Sequence, residues 1–155
     1  MTDINKVVVH ARDGKLLKGT TRDFFPNRPL FHIQPLDGGP SAEVRCRSLK
    51  AVFFVKDFNG DSSRRDAFGF LASPNDTKQG MKVAVRFKDG ELLCGYSLTF
   101  SADREGFFMF PADPRSNNMR IYVLVGATTE VKSGAEAEAL VKRSLDERSS
   151  RDAAA

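Results

Sequence analysis

The chain reads as a mainly β protein: two tandem, five-stranded, strongly bent small β-barrels followed by a short C-terminal helix. Three observations predict this. Shifting the 155-residue sequence by 76 positions aligns residues 6–56 with 82–132 without a gap, and sixteen of the fifty-one positions are identical. Each copy opens with an Asp-Gly pair between apolar runs, Asp13-Gly14 and Asp89-Gly90, which is the strongest short-range hairpin signal. A glycine, Gly19 or Gly95, then interrupts the second strand of each copy, where a missing side chain marks a bulge or sharp bend that folds a short sheet over on itself.

The first strands open at Lys6 and Lys82, and the return strands begin at Leu16-Leu17 and Leu92-Leu93. Third strands are expected at residues 29–34 and 106–110. Pro-Leu-Asp-Gly-Gly-Pro and Pro-Ala-Asp-Pro end them as turns, in which Asp13, Asp37, Asp89 and Asp113 bond to nearby backbone. Fourth strands are expected at 44–47 and 121–125, and fifth strands at 50–56 and 127–132. The domain reading is therefore 1–56 for the first repeat, 57–81 for a polar linker, 82–132 for the second repeat and 133–155 for a helix and tail. The linker carries an apolar patch, Ala67-Phe68-Gly69-Phe70-Leu71, expected to dock on a barrel or cover the seam between copies. Ser133 is the expected cap of a helix over 135–147 with Leu140, Val141 and Leu145 on one side and Glu138/Lys142 and Arg143/Glu147 as supporting pairs. Residues 148–155 have nothing to bury and are expected to be disordered.

Thirteen Phe and no Trp supply the large apolar surface. A unit of fifty residues buries too little of it to be comfortable alone, so the copies are expected to pack together or share an edge. No apolar run is long enough to cross a membrane, and residues 1–6 lack the basic-then-apolar pattern of a secretory signal, so a cytoplasmic protein is expected. Cys46 and Cys94 have no partner at metal-ligand spacing and read as free thiols in strand-like runs. The net charge of +4 is uneven: residues 6–56 hold ten Lys and Arg against four Asp and Glu, while residues 82–132 hold seven against six. The first copy is the one that attracts polyanions.

Neither His10 nor His32 has a Ser, Cys or carboxylate at a motif spacing, and no phosphate loop, dinucleotide fingerprint or paired-Cys motif is present. The cyclic-dinucleotide signature of PilZ barrels fails as well, because Asp61-Ser62-Ser63-Arg64-Arg65-Asp66 ends in Asp where that signature needs Gly, and no Arg pair has its spacing. No catalytic residue, metal or cofactor is expected.

Residues 7–30 resemble the first motif of Sm and Hfq-like proteins: a strand, Asp13-Gly14, apolar residues, Gly19, then Asp23-Phe24-Phe25-Pro26-Asn27. In that family the last stretch has the form Asp-x-aromatic-Met-Asn and holds an RNA base. Asp23, Phe25 and Asn27 match it, and Pro26 replaces the Met. The short Ile-Arg-Gly of the second motif falls at Leu49-Lys50-Ala51, where Lys keeps the cation without the planar guanidinium. Copy two departs further, with Thr99-Phe100-Ser101-Ala102-Asp103 and Val125-Gly126-Ala127. Residues 6–132 also resemble an uncharacterised bacterial family of duplicated small barrels, through the stretches 50–58 and 106–114, which implies a bacterial, cytoplasmic origin and no particular activity.

The expected function is a non-catalytic cytoplasmic binding or adaptor module with a protein partner. Its contacts would be the patch at Phe68, Phe70 and Leu71, exposed strand edges, or the loops at 24–27 and 115–118. The alternative is single-stranded RNA or DNA binding by the basic first repeat. There Phe25 stacks a base beside Asp23 and Asn27, and Arg22, Arg28, Arg45, Arg47 and Lys50 contact phosphates or bases. A monomer or homodimer is expected, because the C-terminal helix can cover one free edge.

Overall fold

The protein is described by a computed structural model that covers residues 4–25, 28–56, 81–98, 105–111 and 118–154. Ten strands follow in chain order: β1 Asn5–Ala11, β2 Leu16–Thr21, β3 Leu30–Pro35, β4 Ala42–Arg45, β5 Leu49–Val55, β6 Met81–Phe87, β7 Leu92–Ser97, β8 Gly106–Pro111, β9 Asn118–Leu124 and β10 Thr128–Ser133. One helix, α1 Ala135–Ala154, ends the described chain. All strands pair antiparallel in one unclosed sheet, in the order β10-β6-β7-β8-β9-β5-β1-β2-β3-β4. The halves repeat the same internal strand order and share an edge, as expected of copies too small to stand alone: β5 of the first pairs with β9 of the second, so that the strands form one continuous, unclosed sheet in place of two closed barrels.

Local chemistry sets the hairpins. Gly14 and Gly90 adopt φ of 93° and 95°, which the Asp-Gly turns require, and the Asp13 and Asp89 carboxylates each accept a bond at 3.0 Å from the backbone N–H two residues on. Space, rather than φ, explains Gly19 and Gly95. A Cβ on Gly19 would overlap the Gln34 carbonyl oxygen and come within 2.6 Å of Ile33 Cγ2, and one on Gly95 would overlap the Phe110 carbonyl oxygen and come within 2.9 Å of Met109 Cε. Here β2 and β7 bend against β3 and β8, with only Gly19↔Pro35 and Thr20↔Gln34, and Gly95↔Pro111 and Tyr96↔Phe110, in register.

The gapless repeat alignment holds for the first three strands and then slips by three residues. Val7 pairs with Phe54 in the first half and Val83 with Ser133 in the second, so β5 corresponds to β10 at a spacing of 79. The 3-10 turn Cys46–Ser48 likewise corresponds to the 3-10 turn Val125–Ala127. The matches Ala51/Ala127, Val55/Val131 and Lys56/Lys132 are thus not structural equivalents. Cys46 sits in that turn and not in a strand.

Side-chain alternation sends the two faces of β5 and β9 to different cores. Val52, Phe54, Tyr122 and Leu124 join Val7, Val9, Phe31, Ile33 and Val44 in the core of the first half. Ala51, Phe53, Val55, Ile121 and Val123 join Val83, Val85, Phe87, Phe107 and Met109 in the core of the second. All seven residues of β5 are consequently buried, which explains a continuous apolar run where a one-faced strand would alternate.

Helix α1 lays Ala137, Leu140 and Val141 on Ala84, with Leu92 and Cys94 beside them. It starts at Ala135 and not from a Ser133 cap, because Ser133 pairs with Val83 as the last residue of β10. It also runs past residue 147, through a stretch of Arg, Ser, Asp and Ala that has no Gly or Pro to stop it. Glu138 bonds Lys82 at 2.6 Å and Arg143 reaches Glu130 at 3.4 Å, so these side chains tie the helix to the sheet. The side chain of Leu145 and the linker patch at Phe68, Phe70 and Leu71 lie outside the described residues.

Because backbone oxygens oppose the missing Cβ atoms, Gly19→Ala and Gly95→Ala should each destabilise the fold by about 3 kcal/mol or more. Urea unfolding followed by circular dichroism measures this, and a loss below about 1 kcal/mol would mean the bends are looser than described.

Candidate nucleic-acid interface

The loop leaving β2 is pinned at its base. Asp23 accepts bonds from the His32 backbone N–H at 2.9 Å, from His32 Nδ1 at 2.7 Å and from the Thr21 hydroxyl at 3.2 Å. Burial alone would raise its pKa, but these donors outweigh it and hold the carboxyl below its ordinary value. Asp23 therefore fastens the loop to β3, and both of its oxygens are engaged. Phe24 turns inward, edge-on to Phe31, Phe54, Phe108 and Tyr122 with ring centroids 5.0 to 6.0 Å away.

With Asp23 tied down and Phe24 inserted, Phe25 points outward. It is 42% exposed, and the Arg28 guanidinium lies 4.7 Å from its ring centroid. A second cation sits on the aromatic cluster around Phe24: Arg120 of β9 lies 4.4 Å from the Phe54 ring and 4.7 Å from that of Phe108. Arg120 is half-buried, and burial lowers its pKa. Phe24, which precedes Phe25 in the chain, touches both rings that carry Arg120. Only the Phe25–Arg28 pair combines an exposed aromatic face with a planar guanidinium, a surface on which an unpaired base can stack while its phosphate is attracted, since Phe54 beneath Arg120 is buried.

The other sequence-derived residues divide. Arg22, Arg45 and Arg47 are exposed. Asn27 lies outside the described residues. Lys50 is elsewhere: its side chain is 11% exposed, it donates to Asp89 at 2.7 Å and also to Glu91, and its ammonium sits 4.7 Å over the Phe87 ring. A β-bulge accounts for this. His10 pairs with Ala51 and Ala11 with Leu49, which leaves Lys50 as the extra residue and turns it towards the second half. Lys50 thus clamps the two halves and does not face a phosphate.

Sequence reasoning missed Arg120, Phe108 and the His32–Asp23 pair. Alternation along Arg120-Ile121-Tyr122 does place Arg120 and Tyr122 on one face, but only the β5·β9 pairing shows that this face belongs to the first half. His32 and Asp23 are nine residues apart in sequence, a spacing set by the length of the loop and not by any motif. Among the described residues no cluster of three or more His, Cys, Asp or Glu could hold a metal, and no helix is long and apolar enough to cross a membrane.

Residues 3–134 match a protein family of unknown function. The chain belongs to this family, DUF6982. No curated protein and no solved structure matches the chain. The span assigned to DUF6982 contains all ten strands and ends where α1 begins, so the shared sheet, the pinned loop and the Lys50 clamp all lie within it.

The groups around the clamp predict that the sheet is acid-sensitive. Burial lowers the pKa of His10, with the Lys50 charge adding to it, and its ring lies 4.4 Å from Phe53. Lys50 itself is raised, since its bonds to Asp89 and Glu91 outweigh burial, and Asp89 is lowered chiefly by its bond from Lys50. For His10 and Asp89 the unfolded chain binds protons more readily than the native one. Stability is therefore full at neutral pH, begins to fall below the ordinary His value and falls again below the ordinary Asp value. Urea unfolding between pH 8 and pH 3 should show both steps, and His10→Phe should remove the first. Lys50→Met, which strands two half-exposed carboxylates beside Phe87, should cost about 2 kcal/mol at pH 7. An unchanged midpoint in Lys50→Met would mean the clamp is idle.

Proposed function

We propose that the protein is a non-catalytic binding module of two Sm-like halves, and that its first half binds single-stranded nucleic acid. The observation that carries this reading is the exposed Phe25–Arg28 pair, which follows the anchored residues Asp23 and Phe24. The basic excess of the first half and the exposed Arg22, Arg45 and Arg47 support it, because they supply phosphate attraction around the stacking ring. The Sm-like reading is supported by the strand order shared by the halves, by the bent second strand in each and by the 3-10 turn between the fourth and fifth strands. The stacking role of Phe25 is kept from the sequence reading. Asp23 becomes a positioning residue, Lys50 leaves the contact set, and Arg120 enters it.

Fluorescence anisotropy with labelled oligo-uridine and oligo-thymidine at low and moderate salt tests the proposal. Binding should weaken with salt, Phe25→Ala should lower affinity about tenfold through the loss of one stacked base, and Arg28→Ala should reduce the salt slope by about one. Arg120→Gln should lower affinity as well, whereas Lys50→Met, measured where it is folded, should not. Absence of binding by the wild-type protein at low salt would refute the reading and return the search to a protein partner.

A further inference from the structure

At one end of the β5·β9 pair the halves leave a cleft that the stacking loop does not use. The 3-10 turn Cys46–Ser48 and the 3-10 turn Val125–Ala127 face each other across it, with Arg12 of the first hairpin and Glu105 ahead of β8 at its sides. The cavity measures about 270 Å3. Leu124, Val125 and the Cys46 sulfur make it partly apolar, and Arg12, Arg47 and Glu105 make it charged. A smaller cavity of about 80 Å3 shares Arg12 and is bounded by Phe87 and Lys88. Arg12 thus stands between the two spaces.

Several contacts position Arg12. Its backbone N–H donates to the Ser48 carbonyl at 3.0 Å and its Nε to the Leu49 carbonyl at 3.4 Å. Gly126, in the facing turn, completes the seat: a Cβ there would overlap Arg12 Nη2 and lie 3.4 Å from Cζ. The absent side chain of the second half is what gives the first half's guanidinium its place. Among the described residues no carboxylate pairs with Arg12 or Arg47.

We propose that this cleft binds a small organic anion, whose phosphate or carboxylate is held by Arg12 and Arg47 and whose body rests on Leu124 and Val125. A guanidinium offers a fixed fork of donors that matches either oxyanion in two-point contact. The volume lies just under the usual range for small-molecule pockets, roughly 300–1,000 Å3, so the ligand is a compact metabolite and not a polymer. Cys46 serves as wall and not as nucleophile, since burial and the Glu105 charge push its thiol pKa up. Glu105 favours ligands that also carry a hydroxyl or amine.

Cys46 provides the readout. Calorimetry and peptide-resolved alkylation by iodoacetamide are carried out on the full chain with glycerol 3-phosphate, succinate and inorganic phosphate as probes. At least one organic probe should bind with one-to-one stoichiometry and slow alkylation of Cys46 about tenfold at saturation, an effect equivalent to about 1.4 kcal/mol, while Cys94 reacts as before. Preference for glycerol 3-phosphate assigns the oxyanion as phosphate, and preference for succinate assigns it as carboxylate. Arg12→Gln should abolish protection. Gly126→Ala should abolish it too while leaving the melting temperature unchanged, because the atom it displaces is the end of a flexible, exposed side chain. Phe25→Ala should leave protection intact, which separates this site from nucleic-acid binding. The proposal is overturned if no probe gives heat or protection, or if binding survives both Arg12→Gln and Gly126→Ala.

Discussion

The pairing of β5 with β9 places both strands between two cores, so that each must supply apolar side chains to both, and most of the architecture follows from that constraint. Ala51, Phe53 and Val55 leave their own half to fill the core of the other, while Tyr122 and Leu124 make the reverse exchange. Neither half could keep its core if the pair separated. A fifty-residue sheet that buries little by itself becomes part of a unit with twice the interior. The arrangement also uses up one edge from each half, which leaves β4 and β10 as the terminal strands of the sheet. β4 is only four residues long and carries Glu43 and Arg45, and β10 carries Glu130 and Lys132. Short, charged edges of this kind discourage further strand addition.

The same junction organises the chemistry. The bulge at Lys50 converts what the sequence offers as a nucleic-acid contact into a link between the halves, because the extra residue directs its ammonium to Asp89 and Glu91. Phe24 crosses the junction in the other direction and meets Phe108 and Tyr122, so that a loop of the first half rests on strands of the second. The outward Phe25 owes its exposure to that inward Phe24. At the far end of the pair, two 3-10 turns meet around Arg12, and the glycine of one turn receives the guanidinium that the other half supplies.

Much of this fold was legible in the sequence for local reasons. Asp-Gly turns, the mid-strand glycines and the third-strand terminators act over a few residues, and they place β1, β2, β3 and their counterparts within one or two positions. A recurring strand order was legible too, and the two halves have it. The spacing of the last two strands was not, because three extra residues before β9 let chance identities such as Ala51/Ala127 pose as equivalents. Nor could a sequence show that β5 would meet β9: its unbroken apolar run suggests burial on two faces but does not name the second core. The same limit applies to the site. Phe25 stood out from its motif, whereas Arg120 reaches the Phe54 and Phe108 rings only through a pairing between residues more than sixty positions apart.

Native-state hydrogen exchange on Phe53→Ala tests the shared-strand account most directly. Phe53 belongs to the chain of the first half but packs among Val83, Phe87, Phe107 and Met109. The account predicts that amides in β6, β7 and β8 lose protection together with those in β1 and β5, each by about 3 kcal/mol. Loss confined to β1 through β5, with the second half as protected as before, would contradict it.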